Sequence, residues 1–287
     1  MSGLREEDME VAEILIQALP YIQKYNNRIV VVKYGGNAME TKEIQAQVMK
    51  DIVLMTTIGI KVVVVHGGGI DISEMLKKVG IEAKFINGKR VTDEATMEVV
   101  QGVLAGKVNK NLVKLINAEG GHAVGICGID NNMLLAQQMS REMGEVGVIT
   151  YVNTKVITDL IDAGYIPVIS SIATDGKGRS FNINADTAAA CIAGALKAEA
   201  MVAMTNIDGV MRDPNDPESL IPKISVDEAA QLQEQGVIAG GMIPKVECCI
   251  DAIDAGVKKV FIINGMIPHS ILVEFLTDEG SGTMFVP

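Results

Sequence analysis

Four β-branched residues in succession, Ile29-Val30-Val31-Val32, run into Lys33-Tyr34-Gly35-Gly36-Asn37-Ala38. An unbroken apolar run of this kind predicts a strand covered on both faces, the pattern of a parallel sheet between helices. With Asn37 as N-cap of a following helix, the turn would bring an ammonium and bare backbone N–H groups to a helix N-terminus. Anions are held well there. Taken alone, Lys33-x-Gly35-Gly36 is better read as a tight turn beside a solvated lysine. The rest of the chain shifts that balance.

From Asn37 to about Gly59, the residues Ile44, Val48, Ile52 and Met55 fall on one helical stripe. Lys61 then opens a second buried strand, Val62-Val63-Val64-Val65, which ends in His66-Gly67-Gly68-Gly69-Ile70-Asp71. Two such strand ends, neighbours in a parallel sheet, form a crevice at its carboxyl edge. Consecutive glycines let a ligand approach the backbone closely. Neither turn matches the G-x-G-x-x-G dinucleotide fingerprint, and the Walker pattern is absent, which disfavours a nicotinamide-dependent dehydrogenase.

Composition narrows the function further. The 287 residues carry a net charge of −11, so a broad polyanion-binding face is disfavoured while a local basic pocket is allowed. Aromatic residues make up 3% and tryptophan is absent, which argues against base-stacking surfaces and so against nucleic acid. Cys127, Cys191, Cys248 and Cys249 show no C-x-x-C spacing and read as reduced, mostly buried thiols of a cytoplasmic protein. Acids at Glu6, Glu7 and Asp8 replace the basic start of a secretory leader, and no apolar run is long enough to span a bilayer.

Other stretches leave two readings each. Val11, Ile14, Leu15, Ala18, Leu19 and Ile22 recur at helical spacing, with Pro20 expected to kink or break the helix. That helix packs on its own domain or makes an oligomer contact. Phe85 to Asp93 reads as a short hairpin or loop carrying a basic pair, with Thr92 or Asp93 capping a helix that runs to Gly102. Arg90 in this hairpin is a solvated turn residue or a fork for a carboxylate. Strands are expected at Val148 to Val152 and Tyr165 to Ser171. In Phe181-Asn182-Ile183-Asn184-Ala185-Asp186, the aspartate is an ordinary cap, or Asn182 and Asn184 form a polar ledge donating to a ligand.

Beyond Lys197 the style changes. Ala200 to Val210 reads as a strand with a polar turn, and the two prolines of Met211 to Pro217 exclude a regular element. A helix is expected around Val226 to Gln235. Gly240-Gly241-Met242-Ile243-Pro244-Lys245 opens another, and a lysine in a first turn opposes the helix dipole unless an anion sits nearby. Lys258 to Gly265 predicts the last central strand, and Leu276 to Phe285 a glycine-rich turn followed by an edge strand.

These stretches, in this order, resemble the amino acid kinase family, and within it the members that act on N-acetyl-L-glutamate, from about Ile29 to the C-terminus. The resemblance implies an α/β fold, a three-layer αβα sandwich with a mainly parallel open central sheet. It implies an oligomerisation helix over 1–27, an N-terminal lobe over 28–197 that binds the acyl amino acid and dimerises, and an ATP-binding C-terminal lobe over 198–287. The implied reaction is ATP-dependent phosphorylation of the γ-carboxylate of N-acetyl-L-glutamate, the second step of arginine biosynthesis. By this resemblance Lys33, Lys245 and Asp186 are catalytic, and Gly68, Gly69, Arg90, Asn182 and Asn184 bind substrate. Gly35, Gly36, Thr205, Asp208, Gly209 and Met242 face the nucleotide. Mg²⁺ would ride on the ATP phosphates and water rather than in a protein cage.

The N-terminal helix resembles the kinked helix of arginine-inhibited members, which form a hexamer as a trimer of dimers. His269, Glu279 and Gly282 match the L-arginine inhibitor site of those members. A nitrogen-signalling protein is a further partner that the resemblance leaves open. The chain departs from the family at Ile70, where proline usually follows the glycines, at Asn206, where the loop often has aspartate, and over Cys127 to Asn132. Rival readings are a sister acyl-phosphate-forming kinase, acting on glutamate or carrier-linked aminoadipate, and an amino acid sensor without chemistry. Two lysines and an aspartate retained around one phosphoryl position argue against the sensor.

Overall fold

The computed structural model of the protein describes residues 5–36 and 41–287. The Asn37 cap and Ala38 lie outside the described residues. Helix α1 (Glu6–Tyr25) continues through Pro20, although the proline leaves a carbonyl of the preceding turn without its donor. Strand β1 (Ile29–Tyr34) is buried at every residue after the first. Helix α2 (Lys42–Thr57) starts where Thr41 Oγ1 accepts from Ile44 N at 3.3 Å. Strand β2 (Lys61–His66), helix α3 (Gly69–Lys78) and the hairpin of β3 (Phe85–Ile86) and β4 (Lys89–Arg90) follow.

Asp93, rather than Thr92, caps α4 (Glu94–Gln101), accepting from Thr96 N at 2.8 Å. The chain does not leave the helix at Gly102 as expected. Gly102 holds right-handed helical angles (φ −60°, ψ −41°), and a wide π turn over Gly102–Val108 leads directly into α5 (Asn109–Ala118). Then come β5 (Ala123–Cys127), β6 (Leu134–Gln138), β7 (Gly147–Val152), α6 (Lys155–Asp162), β8 (Ile166–Ser170), β9 (Ile172–Thr174), β10 (Ser180–Asn182) and α7 (Ala185–Ala195). The last third holds β11 (Ala200–Thr205), β12 (Lys223–Ser225), α8 (Val226–Glu234), α9 (Ile243–Asp254), β13 (Val260–Asn264), α10 (Ser270–Leu276) and β14 (Thr283–Val286). Ser225 and Glu228 close a reciprocal capping box on α8.

Among the described residues the main sheet has eight strands in the order β12-β14-β13-β11-β1-β2-β8-β5. All neighbours are parallel except β13 and β14. The C-terminal strand is therefore not at the edge as expected. Phe285 is fully buried, and the three-residue β12 takes the edge position outside it. A smaller sheet, β10-β9-β6-β7, stands beside the carboxyl ends of the central strands.

Strand alternation splits the core into two layers. Val31, Val63, Val65, Ile169 and Met201 face the side covered by α6, α7, α8 and α9. Val30, Val32, Val62, Val64 and Val168 face α2, α3, α5 and α10. The result is the expected three-layer sandwich. Each of these valines, removed from water on both sides of the sheet, contributes about 1.5–2 kcal/mol. The few aromatic rings are grouped: Tyr25 and Phe261 pack on Phe275 at 4.8 and 5.4 Å, tying α1 and α10 to the sheet.

Candidate functional site

The register of β1 and β2 aligns Lys33 with Val65 and Tyr34 with His66, so the two glycine turns emerge side by side. The chain moves outward from β1 through β2 to β5 at the edge, comes back to β8 between β2 and β5, and then crosses to β11 on the other side of β1. A crevice opens at such reversals of strand order. Here it measures about 490 Å³, and its lining includes Lys33, Gly35, Gly36, Gly67, Gly68, Gly69, Arg90, Asn182, Asn184 and Asp186. Two glycines are required by geometry. Gly36 has φ +70°, and a β-carbon on Gly68 would lie 2.8 Å from Leu104 Cδ2 and 3.1 Å from Val108 Cγ2.

Lys33 is 7% exposed, and its Nζ pairs with Asp186 Oδ1 at 2.9 Å. The first turn of α7 supplies that carboxylate. Asp186 is not the cap that the sequence also allowed. Asn184 takes that place, its Oδ1 accepting from Asp186 N at 2.9 Å and Thr187 N at 3.1 Å. The cap leaves the Asp186 carboxylate free to hold the lysine, and it leaves the Asn184 amide NH₂ at the crevice. Asn182 Nδ2 donates to Thr92 Oγ1 at 3.1 Å, which fixes the amide plane against the hairpin.

Arg90 is the second buried cation. Its Nη2 donates to Gly69 O at 3.0 Å and to Ser73 Oγ at 2.8 Å, and its guanidinium lies 4.7 Å from the centroid of Phe85. Nη1 is buried with no partner. Burial lowers the pKa of this guanidinium. A planar fork with one arm anchored and the other vacant suits a carboxylate oxygen.

The remaining candidates lie outside this crevice. Thr205 Oγ1 accepts from Ile207 N at 3.1 Å at the end of β11, Asp208 Oδ1 accepts from Asn264 Nδ2 at 2.7 Å, and Gly209 has φ +152° against Thr283. Met242 and Lys245 are half-buried at the start of α9. Among the described residues no carboxylate lies within ion-pair distance of Lys245. Of the proposed inhibitor residues, His269 Nδ1 lies 2.7 Å from the buried Asp51 Oδ1, Gly282 N donates to Glu274 Oε2 at 3.1 Å, and Glu279 is exposed in the turn between them.

Sequence reasoning missed the supports: Ser73 under Arg90, Thr92 under Asn182, and Asn109 under His66. Ser73 lies one helical turn after Gly69, a spacing that could have shown it near the glycine turn. Asn109 gave no signal, because its contacts are made across the sheet.

An open parallel sheet with paired glycine turns and a lysine–aspartate pair at its carboxyl edge defines a family. The amino acid kinase family model matches residues 28–264, and the chain belongs to that family. It is 51% identical to the acetylglutamate kinase of Clostridium beijerinckii over 96% of this chain and 98% of that one. Among solved structures, N-acetylglutamate synthase from Neisseria gonorrhoeae with coenzyme A and N-acetyl-glutamate superposes with a TM-score of 0.85 at 27% identity over 96% of this chain. The same synthase with coenzyme A and L-arginine gives 0.80 at 25% over 96% of this chain. The chain spans 63% and 65% of those two synthase chains.

Proposed function

We propose that the protein transfers the γ-phosphoryl group of ATP to the γ-carboxylate of N-acetyl-L-glutamate, the second step of arginine biosynthesis. The observation that carries this reading is the presence of two buried cations in one crevice. One is an ammonium held by a carboxylate at 2.9 Å, the other a guanidinium with a vacant Nη1. The first suits a transferring phosphoryl and the second the substrate's α-carboxylate. The identity of about half to an acetylglutamate kinase over nearly the whole of both chains supports the acceptor.

In this reaction a γ-carboxylate oxygen attacks the γ-phosphorus, the new O–P bond forms, and the bond to the β,γ-bridging oxygen breaks to release ADP. The nucleophile is already ionised, so no general base is needed. The work is positioning and charge neutralisation. Lys33, oriented by Asp186, stabilises charge on the phosphoryl, with Lys245 acting from the α9 side. Backbone N–H groups of Gly35, Gly36, Gly68 and Gly69 hold oxygens, while Asn182 and Asn184 steady the acyl amino acid. Residues 28–197 form the acceptor lobe and 198–287 the nucleotide lobe, where Thr205, Asp208, Gly209 and Met242 shape the wall. Mg²⁺ suits a site of phosphate oxygens and water. Among the described residues no group of three His, Cys, Asp or Glu side chains is placed to cage a metal, and Asp186 is engaged by Lys33.

L-Arginine acts as feedback inhibitor at His269, Glu279 and Gly282, beside α1. Exposed Val11, Ile14, Leu15 and Ile16 on α1 support a role for residues 1–27 in joining dimers into a hexamer. Four free cysteines support a cytoplasmic setting.

Trapping the acyl phosphate with hydroxylamine tests these points together. The expected hydroxamate forms with Mg-ATP and N-acetyl-L-glutamate, does not form with free L-glutamate, and decreases when L-arginine is added. Product from glutamate alone moves the assignment to a sister kinase. No product from either acceptor removes the catalytic reading.

A further inference from the structure

The Gly67–Gly68 peptide has no β-carbon on either side to resist rotation. The group that fixes it is His66, the last residue of β2, which is fully buried. His66 Nδ1 lies 2.8 Å from Gly67 O. A carbonyl can only accept, so Nδ1 carries the hydrogen and Nε2 is left as an acceptor. Nε2 faces Asn109 Nδ2 at 3.1 Å. The orientation of the Asn109 amide is set in turn: one Nδ2 hydrogen goes to Val168 O at 2.8 Å, and the hydrogen directed at Nε2 is shared with the more distant Ile126 O at 3.3 Å. Its Oδ1 accepts from Lys110 Nζ at 3.0 Å. Both imidazole nitrogens are thus held, and only one tautomer fits.

The peptide is trans, as the chain has no cis bonds among its described residues, so its C=O and N–H point in opposite directions. Holding the Gly67 carbonyl toward the imidazole turns the Gly68 N–H the other way, where Gly68 lines the crevice. Donors that stabilise developing charge are effective only when their direction is fixed before the reaction. We infer that His66, braced by Asn109, is a positioning residue for phosphoryl transfer: it anchors the Gly67 carbonyl and so aims the Gly68 N–H at the reacting oxygens. This inference rests on the reading of the crevice as a phosphoryl-transfer site.

The test uses His66→Leu, His66→Gln and His66→Asn in the full chain. An asparagine Nδ2 occupies the place of imidazole Nδ1 and can still donate to Gly67 O, whereas a glutamine amide reaches toward Asn109 and leaves that place empty. The expected result is a loss of about 10²-fold in kcat for H66L and H66Q, with KM for both substrates within about threefold of wild type, the size of one misdirected donor. H66N should recover kcat to within about tenfold of wild type, although all three replacements melt below wild type. Equal loss in H66N and H66Q, or a loss carried by KM, overturns the inference. If H66L does not fold, the Gln and Asn pair decides. Crystal structures of the same variants give a readout independent of activity, with the Gly67–Gly68 peptide turned over in H66Q and retained in H66N. A retained peptide in both overturns the inference. A wild-type protein that makes no acyl phosphate defeats the functional reading, and the peptide orientation still decides what His66 does.

Discussion

The strand-end wall, which lines the crevice, and the second wall formed outside that crevice by candidate residues of the last third of the chain are built on different principles. In the first, Lys33, His66 and Arg90 are buried at the ends of β1, β2 and β4, and each is held by a named partner within 3 Å. In the second, Thr205 bonds within its own turn, Asp208 accepts from Asn264 at the end of β13, and Lys245 stands half-buried without a carboxylate partner among the described residues. Buried polar groups anchored by such bonds hold one geometry, although Nη1 of Arg90 is left without a partner. Half-exposed ones adapt to a ligand. The strand-end groups are thus preorganised, and the last third of the chain presents a turn and a half-buried lysine.

The largest expected effect separates the two lysines. Lys33→Ala removes a fixed cation and should lower kcat by about 10³-fold, equivalent to roughly 4 kcal/mol of transition-state stabilisation. It should also destabilise the fold by about 1–2 kcal/mol, because Asp186 loses its partner in a partly exposed setting. Lys245→Ala should lower kcat by about 10²-fold and leave stability within about 0.5 kcal/mol. Acyl phosphate formation and urea unfolding measure the two quantities. Equal stability losses in both variants would break the contrast between the walls.

A second effect belongs to the strand-end wall alone. Burial pushes the His66 imidazole down to about 4 from an ordinary value of 6.5. Between those pH values the unfolded chain binds a proton that the folded chain excludes. Stability therefore rises with pH across this window, and it is lost as pH falls from about 6.5 toward 4, by up to about 3 kcal/mol. H66N cannot titrate, so its unfolding free energy should follow a flatter course over the same window. Parallel pH courses for wild type and H66N would show that the imidazole is not held neutral by the fold.

The two walls were also unequally legible in the sequence. The runs Ile29–Val32 and Val62–Val65 marked doubly covered strands because a parallel sheet between helices leaves no polar face. The glycines after them marked close backbone approach, and Lys33, Arg90 and Asp186 do meet at one crevice. What could not be read was the second layer. Ser73, Thr92 and Asn109 act through contacts across 17, 90 and 43 residues of chain, and no local pattern records such contacts. The continuation through Gly102 escaped for a related reason: burial of Val103, Leu104 and Val108 in the following turn offsets the helical cost of a glycine, about 1 kcal/mol. The internal place of β14 depended on β12, a three-residue strand too short to show a period.

The smallest effect probes what Thr205 does. The residue is 4% exposed, and its hydroxyl accepts from Ile207 N at 3.1 Å and donates to Ile207 O at 3.1 Å. Thr205→Val keeps the shape and leaves the Ile207 amide without that acceptor. The expected cost is about 1–2 kcal/mol of stability, with KM for ATP changed less than about twofold. Thermal unfolding and ATP titration of initial rates measure both. If the hydroxyl instead contacts the nucleotide directly, KM for ATP rises about tenfold while stability holds, since a lost ligand hydrogen bond is worth about 1.4 kcal/mol. That outcome would make the second wall preorganised in the same sense as the first. The half-buried Lys245 would then be the exception within it rather than its rule.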